Sequence, residues 1–150
     1  MADAPRPEDF RFTTTIDLGH DGVGFHVNNL EMTELLFRGR NSYIVDVAGV
    51  NWAEWMAEGR NLVIRQLCVD FLGEVREPTT LQVGVRAASR RRRSLTLDEA
   101  VWVAGSGQVV ARGRSIHVSV QIDPPAAVEL PADLLARLAE HEGAEIPLEA

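Results

Sequence analysis

One run with helical spacing is followed by four runs with strand spacing, and that order leaves few folds open. Leu30, Thr33, Phe37, Arg40 and Ile44 recur at helical intervals, with Leu35 and Leu36 widening the apolar side. Asn28 or Asn29 can cap this helix, Glu31 adds first-turn negative charge, and Gly49 fits its stop near Val47. Before it, Phe12, Thr14 and Ile16 alternate with polar residues, as in a strand. After it, Asn51-Trp52-Ala53-Glu54 opens a short helix that Gly59 ends. Alternating runs then lie at Val63–Phe71, Leu81–Ala87, Leu95–Val101 and Val110–Ile122, the last with Ile116, Val118, Val120 and Ile122 on one side. The four are expected to form an antiparallel meander. Pro124-Pro125 stops the last strand, and Pro131 starts a short helix carrying Leu134, Leu135 and Leu138. The order predicts an α+β domain with one helix lying across one sheet.

Composition narrows what such a domain can do. The chain has 150 residues, enough for one core, with 45% hydrophobic residues and a net charge of −7. That charge argues against nucleic acid and anionic membrane as partners. All 15 basic residues are arginine, so no lysine can form a Schiff base. The lone Cys68 rules out an intrachain disulfide and any CxxC motif. No apolar run approaches a membrane span, and MADAPRPEDF has no signal-peptide core, so a cytoplasmic location is expected. Residues 1–9 read as a flexible tail, 10–142 as a single domain and 143–150 as a C-terminal tail. A five-stranded sheet over one helix is a small core, and dimerisation is the expected way to complete it.

The chemistry concentrates in Asp21-Gly22-Val23-Gly24-Phe25-His26-Val27-Asn28-Asn29, at the mouth of the long helix. A carboxylate and an imidazole stand there beside the positive end of a helix, where amide N–H groups can hold an oxyanion. Gly22 and Gly24 would let backbone approach a carbonyl closely. Read without context, Asp21 is equally a turn aspartate among glycines, and His26 a histidine bonded to backbone. Arg90–Arg93 is either a solvated hairpin or a phosphate contact, since arginine suits phosphate groups. Trp52, Trp55, Met56 and Phe25 either line an acyl pocket or belong to the core. His20, His117 and His141 show no metal-ligand spacing and read as structural.

The words Gly-x-His-Val-Asn-Asn and Phe37-Arg38-Gly39-Arg40-Asn41-Ser42-Tyr43, together with the element order, resemble the hotdog-fold thioesterases of the 4-hydroxybenzoyl-CoA and acyl-ACP type. The resemblance extends through Asp70–Arg76 and Pro131–Leu135, roughly residues 10–140. It implies an antiparallel sheet of five to six strands wrapped around one long central helix, with a short C-terminal helix. It further implies an acyl-CoA or acyl-carrier-protein substrate, no cofactor, no metal, and a homodimer or homotetramer. Phe25 is one residue more than the family motif carries. With it allowed, Asp21 takes the position of the family's catalytic carboxylate and Gly19 that of its earlier aspartate. The implied catalytic set is Asp21, His26, Asn28 and Asn29, with Glu34 as a reserve acid on the helix. Gly22, Val23, Gly24, Phe25, Arg91 and Arg92 are the implied substrate contacts. A non-catalytic protein binding an acyl group or a partner is the alternative, and a dehydratase is a third reading.

Overall fold

The computed structural model describes residues 4–18, 27–76 and 79–149. In chain order, β1 (Phe12–Leu18) leads to α1 (Asn29–Asp46) and α2 (Trp52–Ala57). There follow β2 (Arg60–Phe71), β3 (Thr79–Arg90), β4 (Ser94–Val103) and β5 (Val109–Gln121). A two-residue β6 (Ala126–Ala127) and α3 (Ala132–Glu142) complete the order. The six strands form one antiparallel sheet in the order β1-β3-β4-β5-β2, with β6 paired to β5. It is the hotdog architecture, with α1 packed along the inner side of the curled sheet.

The face α1 turns inward keeps Leu35, Leu36, Arg40 and Ile44 of the expected one but swings away from Leu30 and Phe37. Met32, Leu35, Leu36, Gly39, Tyr43 and Ile44 are buried, whereas Leu30 is 75% and Phe37 57% exposed. Gly39 explains the choice. A Cβ there would lie 2.4 Å from Val83 Cγ1 on β3, so helix and sheet meet where the helix has no side chain. Tyr43 fixes the other end of the seam. Its hydroxyl donates to Glu142 Oε1 at 2.7 Å and accepts the Ala87 N–H at 3.0 Å, tying α1 to α3 and β3.

The meander holds only for β3-β4-β5; β2 pairs with β5 and becomes an edge. Residues 72–76, which follow β2, carry no tight turn and pass the start of α1, where Val75 is buried and its carbonyl accepts the Val27 N–H at 3.0 Å. A second departure lies within β2. Its register with β5 shifts between Ile64 and Gln66, leaving Arg65 as a bulge. Leu62 and Ile64 therefore share a side with Leu67, Val69 and Phe71, which simple alternation from Val63 cannot show.

On β5 the inward residues past Ala111 and Gly113 are Ser115, His117 and Ser119, all buried. The apolar set Ile116, Val118 and Val120 lies on the opposite, half-buried side. The C-terminal segment is also docked. Ile146 is buried, Arg90 donates its N–H to the Pro147 carbonyl at 2.8 Å, and Glu149 donates back to the Arg90 carbonyl at 2.8 Å. At the other end Pro7–Asp9 forms one 3-10 turn, closed by the Arg6 N–H on Asp9 Oδ2 at 2.8 Å. Phe10 follows it and stacks on Trp102.

Candidate active site

The start of α1 is held by local hydrogen bonds. Asn28 adopts extended backbone and accepts the Glu31 N–H through Oδ1 at 2.9 Å, while its Nδ2 donates to Glu31 Oε1 at 3.0 Å. Asn28 is therefore the cap. Asn29 is the first helical residue, exposed, and its carbonyl accepts the Thr33 hydroxyl at 2.7 Å. Val27, just before the cap, is buried and its N–H is held by the Val75 carbonyl at 3.0 Å. Asp21, Gly22, Val23, Gly24, Phe25 and His26 lie outside the described residues. From Val27 onward the structure shows a capped helix start, directly after the sequence segment that carries the expected acid.

The remaining expected residues lie apart from that end. Glu34 is exposed and pairs with Arg38 at 3.2 Å, one helical turn on. Arg91 pairs with Glu149 at 3.4 Å, and Arg92 Nε donates to Glu129 Oε1 at 2.6 Å. The arginine turn is thus already countered by two surface carboxylates, on the docked C-terminal segment and just before α3.

A buried polar chain crosses the seam between α1 and the sheet. Arg40 Nη1 donates to Glu99 Oε1 at 2.7 Å, with side-chain exposures of 6% and 0%. Ser115 Oγ lies 3.5 Å from the same Glu99 oxygen and 3.0 Å from His117 Nε2. Glu99 Oε2 is buried without a hydrogen-bond partner and occupies the room left by Gly113, where a Cβ would stand 3.0 Å away. Burial pushes the Glu99 carboxyl up to about 7, against the pull of Arg40. Burial, then the Arg40 charge, pushes the His117 imidazole down to about 4. The sequence carried a signal for one member of this chain: Glu99 falls on the Leu95–Leu97–Val101 alternation of β4, whereas Ser115 and His117 fall on the more polar side of β5.

His117 and Arg40 also line a slot of about 150 Å³ between α1, α2 and the sheet, walled by Phe37, Trp52 and Ile64. Among the described residues no group of three His, Cys, Asp or Glu side chains is placed to hold a metal ion. Nor is any described helix long and apolar enough to cross a membrane.

Comparison with known proteins adds an independent line. The thioesterase-like superfamily model matches residues 11–138. A betainyl-CoA thioesterase of Pseudomonas aeruginosa is 30% identical over 82 residues, 55% of this chain and 52% of its own, so the chain spans about half the length of that relative. A thioesterase of Thermus thermophilus, crystallised with coenzyme A and zinc, is 24% identical with a TM-score of 0.74, covering 93% of this chain and 99% of its own. A 1,4-dihydroxy-2-naphthoyl-CoA thioesterase of Synechocystis is 17% identical with a TM-score of 0.72, covering 86% and 97%.

Proposed function

The chain belongs to the thioesterase-like superfamily, and from that premise we propose that it hydrolyses an acyl-CoA thioester to a carboxylic acid and free coenzyme A. The observation that carries this reading is the capped start of α1. It directly follows a segment bearing an aspartate and a histidine. Asp21 takes a proton from water, or attacks the thioester carbonyl itself. His26 orients the carbonyl. The first amides of α1, at Asn29 and Leu30, face the developing oxyanion, helped by the helix dipole. The sulfur leaves as the thiol once protonated, and the acid keeps the water oxygen. Gly22 and Gly24 let the chain lie close to the thioester, with Val23 and Phe25 against the acyl group and Arg91 and Arg92 toward coenzyme A phosphate. Asn28 serves by holding the helix end. Thiol release measured over coenzyme A and acyl-carrier-protein thioesters tests the reading. Turnover of at least one coenzyme A thioester is expected; none on either carrier would favour the non-catalytic, acyl-binding alternative.

The working form is proposed to be a cytoplasmic homo-oligomer, a dimer or tetramer. Among the described residues the edge strand β2 pairs with β5 alone, and Val63, Ile64 and Phe71 on it are 37%, 48% and 52% exposed. Phe37 and Leu30 add apolar area on the outward side of α1. An unpaired edge with so much apolar surface fits a second copy. Sedimentation equilibrium is expected to give at least twice 16.5 kDa; a monomer at micromolar concentration would remove this proposal.

A further inference from the structure

The outer face of the sheet, away from α1, carries a charge pattern that the hydrolase chemistry does not use. Register places Asp98 on β4 between Arg86 on β3 and Arg114 on β5. One row along, Arg112 on β5 stands opposite Asp70 on β2. These five side chains line a cleft of about 510 Å³, within the range of roughly 300–1,000 Å³ for small-molecule sites. Ala4 and Pro5 of the N-terminal segment line it too. That segment is anchored where Phe10 stacks on Trp102. Asp70 alternates with the inward Val69 and Phe71, so it points off the sheet face. A second copy pairing along the β2 edge would not cover it.

The charges are arranged for an anion. Asp98 is 6% exposed and is spent on two arginines, accepting from Arg86 Nη2 at 3.3 Å and from Arg114 Nε at 2.9 Å. It orients both guanidinium groups, and Arg114, with its side chain 60% exposed, keeps its far edge for another partner. Arg112 and Asp70 are cross-strand neighbours, yet they form no ion pair among the described residues. Arg112 Nε is moreover buried without a hydrogen-bond partner. A cation would meet three guanidinium groups. Arg112 and Arg114 lie two residues apart on one strand, so they share a face with Cα atoms about 7 Å apart. A carboxylate satisfies one guanidinium fork, whereas a phosphate, with three terminal oxygens, bridges two.

The remaining lining sets the rest of the ligand. No described aromatic side chain lines the cleft, so a nucleobase has nothing to stack on. The exposed Asp70 offers its carboxylate to hydroxyl groups. We infer that this cleft binds a small hydroxylated phosphate ester, the size of a sugar phosphate, with the phosphate across Arg112 and Arg114 and hydroxyls on Asp70. The inference does not depend on the hydrolase reading, because the cleft lies on the opposite face of the sheet from α1.

Calorimetric titration of the intact chain with ribose 5-phosphate, ribose and inorganic phosphate tests it. Ribose 5-phosphate is expected to bind at least ten-fold more tightly than either of the others. Arg112→Gln and Arg114→Gln should each weaken it about ten-fold or more. Arg93→Gln, at an exposed arginine outside the cleft, should leave it unchanged. Asp70→Ala should bring ribose 5-phosphate down to the affinity of inorganic phosphate. No binding at millimolar concentration, or wild-type affinity in both cleft arginine variants, would overturn the inference. An equal loss in all three arginine variants would reduce the effect to general charge and overturn it as well. Displacement of ribose 5-phosphate by coenzyme A would make the cleft part of the substrate path and remove the separate site. Selective ribose 5-phosphate binding with no thioester turnover supports the cleft and counts against the hydrolase reading.

Discussion

Asp21→Asn is expected to lower kcat/KM for acyl-CoA hydrolysis by about 10²–10⁴-fold, the range for loss of a positioned general base. That is roughly 3–5 kcal/mol of transition-state stabilisation. The carboxamide is nearly isosteric with the carboxylate, so fold and oligomeric state should hold while proton transfer fails. Glu34→Gln is the informative partner. Glu34 stands in solvent with Arg38 at 3.2 Å, a turn inside α1. If Glu34→Gln caused the large loss and Asp21→Asn did not, the acid would have to be moved onto the helix. A loss confined to KM would give Asp21 a binding role only.

Above about pH 7, where the Glu99 carboxyl is ionised, Glu99→Ala is expected to cost about 3–5 kcal/mol of stability, because it leaves the Arg40 charge buried without its counterion. For a chain of this size the midpoint of thermal unfolding should fall by about 6–20 °C at fixed protein concentration. Arg40→Met combined with Glu99→Leu removes both charges and should recover most of the loss. A double variant no more stable than Glu99→Ala would show that the pair is not what holds the seam.

The same chain of residues sets a pH signature. The Glu99 carboxyl is raised to about 7, so the folded state favours its protonated form. That contribution is complete below the ordinary carboxylate value and is lost as pH rises through about 7. The His117 imidazole is lowered to about 4, so the folded state favours its neutral form. That contribution is complete above the ordinary histidine value and is lost as pH falls toward about 4. The slopes oppose one another between about pH 4.5 and 6.5, and each is worth about 3 kcal/mol at full ionisation. Wild-type stability attributable to this pair should therefore be nearly flat there. Denaturant titrations of His117→Asn should show stability falling as pH rises across that interval, and Glu99→Gln the reverse. Parallel profiles for the two variants would remove this account.

Much of the fold is written locally. Asn28, Asn51 and Pro131 mark three helix starts, and Gly49, Gly59 and Gly143 stand just past helix ends at positive φ. What periodicity could not show is where two elements meet. The inward face of α1 is fixed by Gly39 against Val83, a contact between residues far apart in sequence. The bulge at Arg65 reverses the parity of β2. On β5 the more apolar side lies away from α1, because the inward side meets the Arg40–Glu99 pair and its hydroxyl and imidazole neighbours. The helix-entry motif was legible as a word, and the cap at Asn28 agrees with it. Of the polar chain only Glu99 stood out, as a carboxylate on the apolar side of β4, since its partners come from three separate elements.

The place of β2 also matters while the chain is being made. Its hydrogen-bonding partner, β5, lies roughly fifty residues further on. At ribosomal speeds of about 5–20 residues per second, β2 waits roughly 3–10 seconds after synthesis before β5 exists. Through that interval Val63, Ile64 and Phe71 have no strand to pair with. The β3-β4-β5 hairpins can close from local contacts, so β2 must add to a nearly finished sheet. Nascent chains stalled before Val109 should therefore be the species that chaperones hold and that aggregate when chaperones are depleted.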